Sequence, residues 1–339
     1  MLKFADPCGQ FYATIAQAVQ GVWTSISGGS IVTSGLPAGN VDPTAFQNLN
    51  AGTIAVPNTA GPYTIGFRMV VTNTMSHQAL VIFQDATSGA QVTISTNVDG
   101  TFRAELGGFG GTLIGDSTAG IAIAQNVWNY IECLTSVSAT VGIVTIMLNG
   151  VQIFTFTGNT KAQATAIIGF IKLGTNSNTY IQDVYVLDST GTYNNTFLGD
   201  CRISAYNAAG VGTAGINQYT ANGAATVWQC TKDATPDDDA TYASDNTPGD
   251  RMSVTAATTA LTGGFAAVVH VSRVRKDDAG TRTVAQTITS GGVDAVASNV
   301  NPGTSYAYHL QISEVDPNTS VPWLQAGFNA VQMGLETVV

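Results

Sequence analysis

The sequence predicts an all-β fold made of two β-sandwich domains, and three observations support this prediction. The chain of 339 residues contains only four Glu and five Lys, which are residues that usually cover the exposed faces of helices. Thr, Val and Ile, which suit a pleated sheet, are frequent, as are the turn formers Gly and Asn. Short β-rich runs bounded by turn residues recur every 8 to 15 residues or so, which is typical of a sandwich or jelly roll, with a barrel as the alternative.

Chain length favours two domains, because 339 residues exceed what one typical core supports. The segment YNAAGVGT at residues 206–213 loses the apolar periodicity and is the predicted linker. We therefore place one domain, with an N-terminal arm, at residues 1–205 and a smaller domain at residues 206–339.

In the first domain, strands are predicted wherever a short β-rich run is bounded by turn residues. The predicted strands are residues 63–71, 79–85, 91–97, 101–106, 128–137, 142–150, 151–158, 166–174, 179–188 and about 200–205. Asp99-Gly100 and Asn149-Gly150 each predict a hairpin turn, because Gly adopts a positive φ without steric cost. At the second hairpin we expect one buried face, formed by Ile146, Leu148, Val151 and Ile153.

The second domain is predicted to contain strands at residues 225–230, 251–256, 265–274, 281–289 and 306–315 and a last strand within residues 328–339. An acidic run in this domain contains Asp237, Asp238, Asp239, Asp245 and Asp250. Such carboxylates could bind calcium, but the run lacks the spacing of an EF-hand, and a solvated loop is the favoured interpretation. The basic stretch Arg273, Arg275 and Lys276 is followed at once by two Asp and is interpreted as a strand end.

Composition argues against several partners and locations. The formal charge of -10 opposes binding to nucleic acid. No run approaches the roughly 18 apolar residues of a membrane span. The N-terminus meets Asp6 and Pro7 early and does not resemble a secretory signal. We expect a protein made in the cytoplasm, without a cofactor, whose four scattered cysteines are free thiols.

The run from Ile181 to Ile203, IQDVYVLDSTGTYNNTFLGDCRI, resembles a segment of virion structural proteins of tailed phages. A strand like WNYIEC and a hairpin like IMLNGVQI precede it in those proteins, whose first part resembles the concanavalin/laminin-G jelly roll. The later segments DDDATYAS, VSRVRKDDAGTRT and EVDPNTSVPWLQAGFNAVQMGLETVV extend the resemblance over most of residues 60–339. The resemblance implies a lectin-like jelly roll in the first domain.

The same resemblance implies a structural component of the phage particle, in the tail, a fibre or the head surface, that acts by protein–protein assembly. Its partners in the virion would be other virion proteins and further copies of itself, with a trimer as the expected oligomer. A host surface glycan is a further expected partner. The alternatives are a glycan-binding adhesin on the particle and, less favoured, a glycosidase or depolymerase.

Glycosidases also occur among lectin-like sandwiches, so hydrolytic activity has to be considered. It would require a pair of carboxylates that flank the scissile bond. Glu105 and Glu132 are isolated, and Asp183 and Asp188 lie five residues apart, which places them on opposite faces of a regular strand. The histidines lie in separate segments without the spacing of metal ligands: His77, His270 and His309. We therefore predict that the protein is not an enzyme and has no catalytic or metal-binding residues.

One cluster has the composition of a sugar site, namely Tyr193, Asn194, Asn195 and Phe197. Sugars stack on aromatic rings and form hydrogen bonds with side-chain amides. The competing interpretation is an ordered turn, because Asn tolerates left-handed backbone and the aromatic rings would anchor the loop to the core. The turn is favoured, and the glycan site is kept as the alternative.

Overall fold

The computed structural model describes residues 1–40, 42–73, 75–174, 178–213 and 217–339. Contacts divide the chain into two compact units. Unit 1 contains Met1–Gln10, Thr14–Val19 and Trp23–Ser204. Unit 2 contains Phe11–Ala13, Gln20–Val22 and Ala205–Val339.

Unit 1 is a lectin-like jelly roll of two antiparallel sheets. Its elements are β1 (Leu2–Asp6), α1 (Ile15–Ala18), β2 (Ser25–Ser27), β3 (Ser30–Val32), β4 (Ala45–Gln47), β5 (Ala51–Thr59), β6 (Tyr63–Val71), β7 (Gln78–Gln84), β8 (Ala90–Thr96), β9 (Phe102–Leu106), β10 (Thr112–Asp116), β11 (Asn129–Ser136), β12 (Gly142–Leu148), β13 (Val151–Gly158), β14 (Ile168–Leu173) and β15 (Thr179–Asp188). One sheet has eight strands in the order β13-β12-β11-β6-β15-β4-β3, with β1 paired to β15. The other has seven strands in the order β10-β9-β8-β7-β14-β5-β2.

The core of unit 1 lies between these sheets. Alternate side chains of β6 and β11 point into it, among them Ile65, Phe67 and Ile131, each without solvent exposure. The seven-stranded sheet contributes Phe83 and Ile94, which are also fully buried. Because the core takes every second residue, the remaining side chains of the eight-stranded sheet lie on its opposite, outward face.

Unit 2 combines a five-stranded antiparallel sheet, ordered β16-β19-β24-β21-β22, with two strand pairs, β17-β18 and β20-β23. Its elements are β16 (Ala208–Val211), β17 (Thr220–Asn222), a 3-10 helix (Val227–Cys230), β18 (Tyr242–Ser244), β19 (Arg251–Ala256), β20 (Val268–Val274), β21 (Val284–Ser290), β22 (Val293–Val296), β23 (Ala307–Ser313), α2 (Gln325–Asn329) and β24 (Gln332–Thr337). One core cluster forms around Trp323, Ile288 and Phe328. A second forms around Tyr219, Val227 and Met252.

The all-β prediction is confirmed, because the helices in the described residues span only four or five residues. Both predicted hairpins are present, and at the second one Asn149 and Gly150 have φ values of 50° and 79°. Ile146, Leu148 and Ile153 are buried, but Val151 is exposed because it directly follows the turn in an edge strand.

Two strand predictions differ from the structure, and some strands were not predicted. Residues 225–230 include the 3-10 helix, in which Val227 and Cys230 are three residues apart and are buried together. Residues 200–205 form no strand, and the backbone amide of Ile203 bonds to the buried carboxylate of Asp183 instead of a neighbouring strand. The strands β1 to β5, within the first 60 residues, were not predicted.

All four cysteines are free thiols. In the part of the chain that the structure describes, no helix has both the length and the apolar character needed to cross a membrane.

Candidate functional site

The outward face of the eight-stranded sheet carries a set of polar side chains. Strand pairing places Arg68 beside Tyr130 on one side and beside Gln182 on the other. Gly66 pairs with both Glu132 and Tyr185, and a Cβ atom at Gly66 would lie 2.1 Å from Cε1 of Tyr185. The tyrosine ring can therefore lie across this strand only because residue 66 has no side chain.

A bulge in β15 brings a carboxylate to this region. The register shifts between Gln182 and Tyr185, and Asp183 within the bulge has a φ of 54°. This left-handed backbone is uncommon for residues other than Gly, Asn and Asp. The bulge interrupts the alternation of the strand and leaves Asp183 fully buried.

Residues 198–203, which we call the strap, are held on this face by two carboxylates. Oε1 of Glu132 accepts hydrogen bonds from the backbone N–H groups of Leu198 at 2.8 Å and Gly199 at 3.2 Å, and from the Tyr185 hydroxyl. At the other end, the N–H of Ile203 donates to Oδ1 of Asp183 at 2.8 Å. The strap covers the central strands of the outward face.

Arg68 lies at the centre of a group of opposite charges. Its Nη1 is 4.0 Å from Oδ2 of Asp42, and its Nε is 3.8 Å from Oδ1 of Asp200. Arg202 of the strap contacts the same two carboxylates, at 3.9 Å and 3.3 Å. The Arg68 guanidinium also stacks on Trp128, with Cζ 5.0 Å from the ring centroid. Two cations thus share two anions beneath and within the strap.

Burial shifts the pKa values of this group. Desolvation raises the pKa of Asp183 above its usual range, and the nearby charge of Asp42 raises it further. Desolvation also raises the pKa of Glu132, although hydrogen bonds from Tyr185 and the strap oppose this. The pKa of Arg68 is lowered, first by desolvation and then by Arg202. Buried carboxylates that bind protons more readily than usual are common at functional sites.

Several buried polar atoms of this face make no hydrogen bond within the described residues: Nη1 of Arg68, Nε1 of Trp128, Oε2 of Glu132 and Oε1 of Gln182. Most buried polar groups in proteins are paired, so such a concentration is unusual. The arrangement holds donors and acceptors ready for hydrogen bonding while the strap covers them.

Beside the strap, the same outward face is open on β12 and β13. The register of β11, β12 and β13 places several side chains on that face, among them six that define this strip: Leu134, Ile143, Met147, Gln152, Thr155 and Thr157. Gln152, Thr155 and Thr157 are exposed, whereas Leu134 and Met147 are half-buried. We call these six residues the open strip, and it carries no charged side chain.

The predicted cluster Tyr193, Asn194, Asn195 and Phe197 lies in the loop that leads from β15 into the strap. Asn194 has a φ of 46°, and its carbonyl accepts a hydrogen bond from the N-terminal amine. Nδ2 of Asn195 donates to the carbonyl of Gly191 at 3.1 Å. Both asparagines therefore stabilise the turn, while Tyr193 and Phe197 remain half-buried. A glycan contact at these residues stays a prediction.

Sequence reasoning missed Arg68, Asp183 and Tyr185 as members of one cluster. One available signal was a charged residue within an apolar run, as in YTIGFRMVV and WNYIEC. Such a charge is costly to bury without a partner, and it therefore marks a position with a special environment.

The acidic run of unit 2 pairs with the basic stretch. Asp238 lies 2.8 Å from Nε of Arg273, and Asp239 lies 2.8 Å from Nη2 of Arg275. The Arg273 guanidinium also stacks on Tyr306 and Tyr308. No group of three or more potential metal ligands occurs among the described residues.

Comparison with known proteins gives matches in structure only. No family model matches the sequence, and no curated protein does. Similar solved structures include an alginate lyase in complex with an alginate tetrasaccharide, which is 9% identical with a TM-score of 0.38 and covers 54% of this chain and 95% of that chain. A galectin from Caenorhabditis elegans is 15% identical with a TM-score of 0.31 and covers 40% of this chain and 89% of that one. An endo-β-1,4-glucuronan lyase from the fungus Trichoderma reesei is 8% identical with a TM-score of 0.36 and covers 48% and 90%.

These comparisons agree with the lectin-like fold and contradict one prediction. The prediction that the protein is not an enzyme is contradicted, because the similar solved structures include an alginate lyase and an endo-β-1,4-glucuronan lyase. A search for paired carboxylates tests only for glycoside hydrolysis, so their absence from the sequence motifs does not exclude other enzymatic chemistry. At these identities the likeness concerns the fold alone and assigns neither an activity nor a ligand to this chain.

Proposed function

We propose that unit 1 binds a glycan through the outward face of its eight-stranded sheet. The observation that carries this proposal is the open strip, in which exposed hydroxyl and amide groups lie beside half-buried apolar side chains. A sugar offers hydroxyl groups that need hydrogen-bond partners and C–H faces that pack on apolar surface. Thr155 and Thr157 would meet the hydroxyl groups, and Met147 would pack against a ring face.

The loop before the strap extends this surface. Phe197 precedes Leu198, whose amide bonds to Glu132, and Glu132 pairs across the sheet with Met147 of the open strip. Tyr193 and Phe197 would then add aromatic surface at one end of the bound glycan. The low charge of the strip favours a neutral stretch of glycan over a highly charged one.

The proposal is tested by screening the full chain on a glycan array and measuring the dissociation constant of the best ligand. We expect Thr155→Arg to weaken binding by about tenfold or more, because a long cation would occupy the strip and displace two hydroxyl contacts. Thr112→Arg is the matched control, since Thr112 is an exposed strand threonine of the other sheet.

Failure of the whole array to show binding would contradict the proposal, as would equal binding by the two arginine variants. The variant Tyr193→Ala distinguishes the contribution of the loop from that of the open strip. A loss of binding in Tyr193→Ala but not in Thr155→Arg would place the glycan site on the loop instead of the strip.

A location in a tailed-phage particle is a second part of the proposal. It is supported by the resemblance of the segment from Ile181 to Ile203 and of the C-terminal segment to virion proteins. A glycan-binding component on a particle surface would contact the host, and other virion proteins and copies of the chain would hold it in place. A trimer is the proposed oligomer.

A further inference from the structure

A cavity of about 610 Å³ lies within unit 2, between β23 and the segment formed by β22 and the residues that follow it. This volume is within the usual range for small-molecule sites. Gln286, His309 and Gln311 form part of its wall, and Ser298 and Asn299 lie on the side of the following segment.

The polar wall follows from the register of β20 and β23. His270 pairs with Gln311, and Ser272 pairs with His309, so all four side chains lie on one face of this strand pair. Gln286 of β21 approaches that face, and its Nε2 donates to the carbonyls of His270 and His309 at 3.0 and 3.1 Å.

This face contains four buried polar atoms that make no hydrogen bond in the described part of the chain: Nδ1 of His270, Oγ of Ser272, Nε2 of His309 and Oε1 of Gln311. The Gln311 side chain is 8% exposed, and its Nε2 donates to the carbonyl of Ala295 at 2.7 Å. That bond fixes the amide orientation and leaves the oxygen as an acceptor. A buried acceptor without a donor is unfavourable, and a ligand that donates to it would remove that cost.

The chemistry of the wall restricts the ligand. Among the described residues, those lining the cavity include no Asp, Glu, Lys or Arg. Among the other lining residues, Val296 and Val300 are apolar. Desolvation lowers the pKa of His309, which favours the neutral form of its ring. A wall of neutral donors and acceptors beside apolar surface suits a ligand with hydroxyl groups and no net charge.

We propose that this cavity of unit 2 binds a neutral saccharide unit, with Oε1 of Gln311 accepting from one hydroxyl group and Nε2 of His309 bonding to another. The site is separate from the glycan surface proposed for unit 1 and does not depend on it.

The test uses ligand-observed NMR and calorimetry on the full chain with glucose, galactose, mannose, maltose and lactose as probes, and glucuronate as the charged comparison. We expect at least one neutral sugar to bind, and Gln311→Met and His309→Phe each to weaken that sugar about tenfold. Ser272→Ala is the matched control, because Ser272 shares the face but does not line the cavity. Its binding should equal that of the unmodified chain.

Thermal unfolding checks that each variant is folded. If the two core variants unfold, Ser298→Trp replaces them, because Ser298 is exposed and its substitution obstructs the cavity from the solvent side. Absence of binding by every neutral sugar would overturn the proposal. Unchanged binding in all folded cavity variants, or stronger binding of glucuronate, would also overturn it. Thr155→Arg in unit 1 should leave this binding unchanged, so failure of the proposed function and failure of this site are distinguishable.

Discussion

Asp183 combines a left-handed backbone, complete burial and a second carboxylate nearby. Its folded pKa is raised above the unfolded value, so the charged form is destabilised in the folded protein. Asp183 therefore contributes most favourably to the stability of the folded protein at low pH, and this contribution is lost as the pH rises through the folded pKa. The hydrogen bond from Ile203 is the structural gain that offsets part of the cost.

The substitution Asp183→Asn should stabilise unit 1 at pH 8 by about 1–3 kcal/mol, because it removes a buried charge that is worth about 1.4 kcal/mol for each unit of raised pKa. Asn tolerates the positive φ and retains an oxygen that can accept from Ile203. Urea unfolding measured between pH 8 and pH 4 checks this. The difference between the two proteins should shrink as pH falls towards the unfolded pKa.

Asp188→Asn is the control of opposite sign. Burial raises the pKa of Asp188, but hydrogen bonds from Thr190, Lys3 and the N-terminus lower it more, and the net pKa is lowered. Its charge therefore stabilises the folded state above the unfolded pKa, and its removal should destabilise the protein at pH 8. A shift of stability in the same direction by both variants would contradict this account, in which the charge of Asp183 destabilises the folded protein and the charge of Asp188 stabilises it.

At the scale of elements, backbone amides of the strap donate hydrogen bonds to carboxylates, whereas the amides of a strand would donate to a neighbouring strand. Glu132 accepts three hydrogen bonds, two of them from strap amides. Cys201 lies within the strap, half-buried, and burial raises the pKa of its thiol to about 11. The other three cysteines are buried, so Cys201 can report on strap opening.

We expect Glu132→Ala to accelerate labelling of Cys201 by a thiol reagent about tenfold or more, because two strap amides lose a charged acceptor. Labelling rates at pH 8, with the labelled cysteine identified by peptide mass spectrometry, measure this. Glu105→Ala is the control, since Glu105 is also buried but bonds to Ser95 and Gly110 in the other half of the sandwich. Equal rates in the two variants would show that Glu132 does not hold the strap.

The sequence predicted those elements whose signals are local. The Asn149-Gly150 turn needs only two positive φ values, which these residues supply. The bulge at Asp183 could not be predicted, because it depends on which strands pair with β15, and a regular alternation was assumed there. Residues 200–205 were predicted as a strand because their side chains suit one, but the amide of Ile203 bonds to the carboxylate of Asp183, twenty residues away in sequence. Gln311 could not be identified as a site residue from the sequence, because its environment depends on its pairing with His270.

At the scale of the whole molecule, the surface carries few charges and two exposed valines on an edge strand. Only 10% of residues are charged. Strand β22 ends the five-stranded sheet, and its Val293 and Val296 are 44% and 57% exposed. An edge strand presents unpaired backbone groups, and the one charge on β22, Asp294, is already paired with Arg251, so the exposed valines do little to prevent association. These features favour assembly with copies of the chain or with other proteins.

We expect the purified chain to self-associate and to be found in phage particles at a fixed ratio to the major capsid protein. Sedimentation should show an oligomer, with a trimer as the proposed state, and Val296→Lys should shift it towards the monomer because a charge on the edge disfavours strand pairing. Val98→Lys is the control, since Val98 is 71% exposed but lies in the turn between β8 and β9.

Quantitative mass spectrometry of purified particles tests the location directly. Detection in the lysate but never on particles would exclude a virion component, whereas a glycan-binding result for unit 1 would be unaffected.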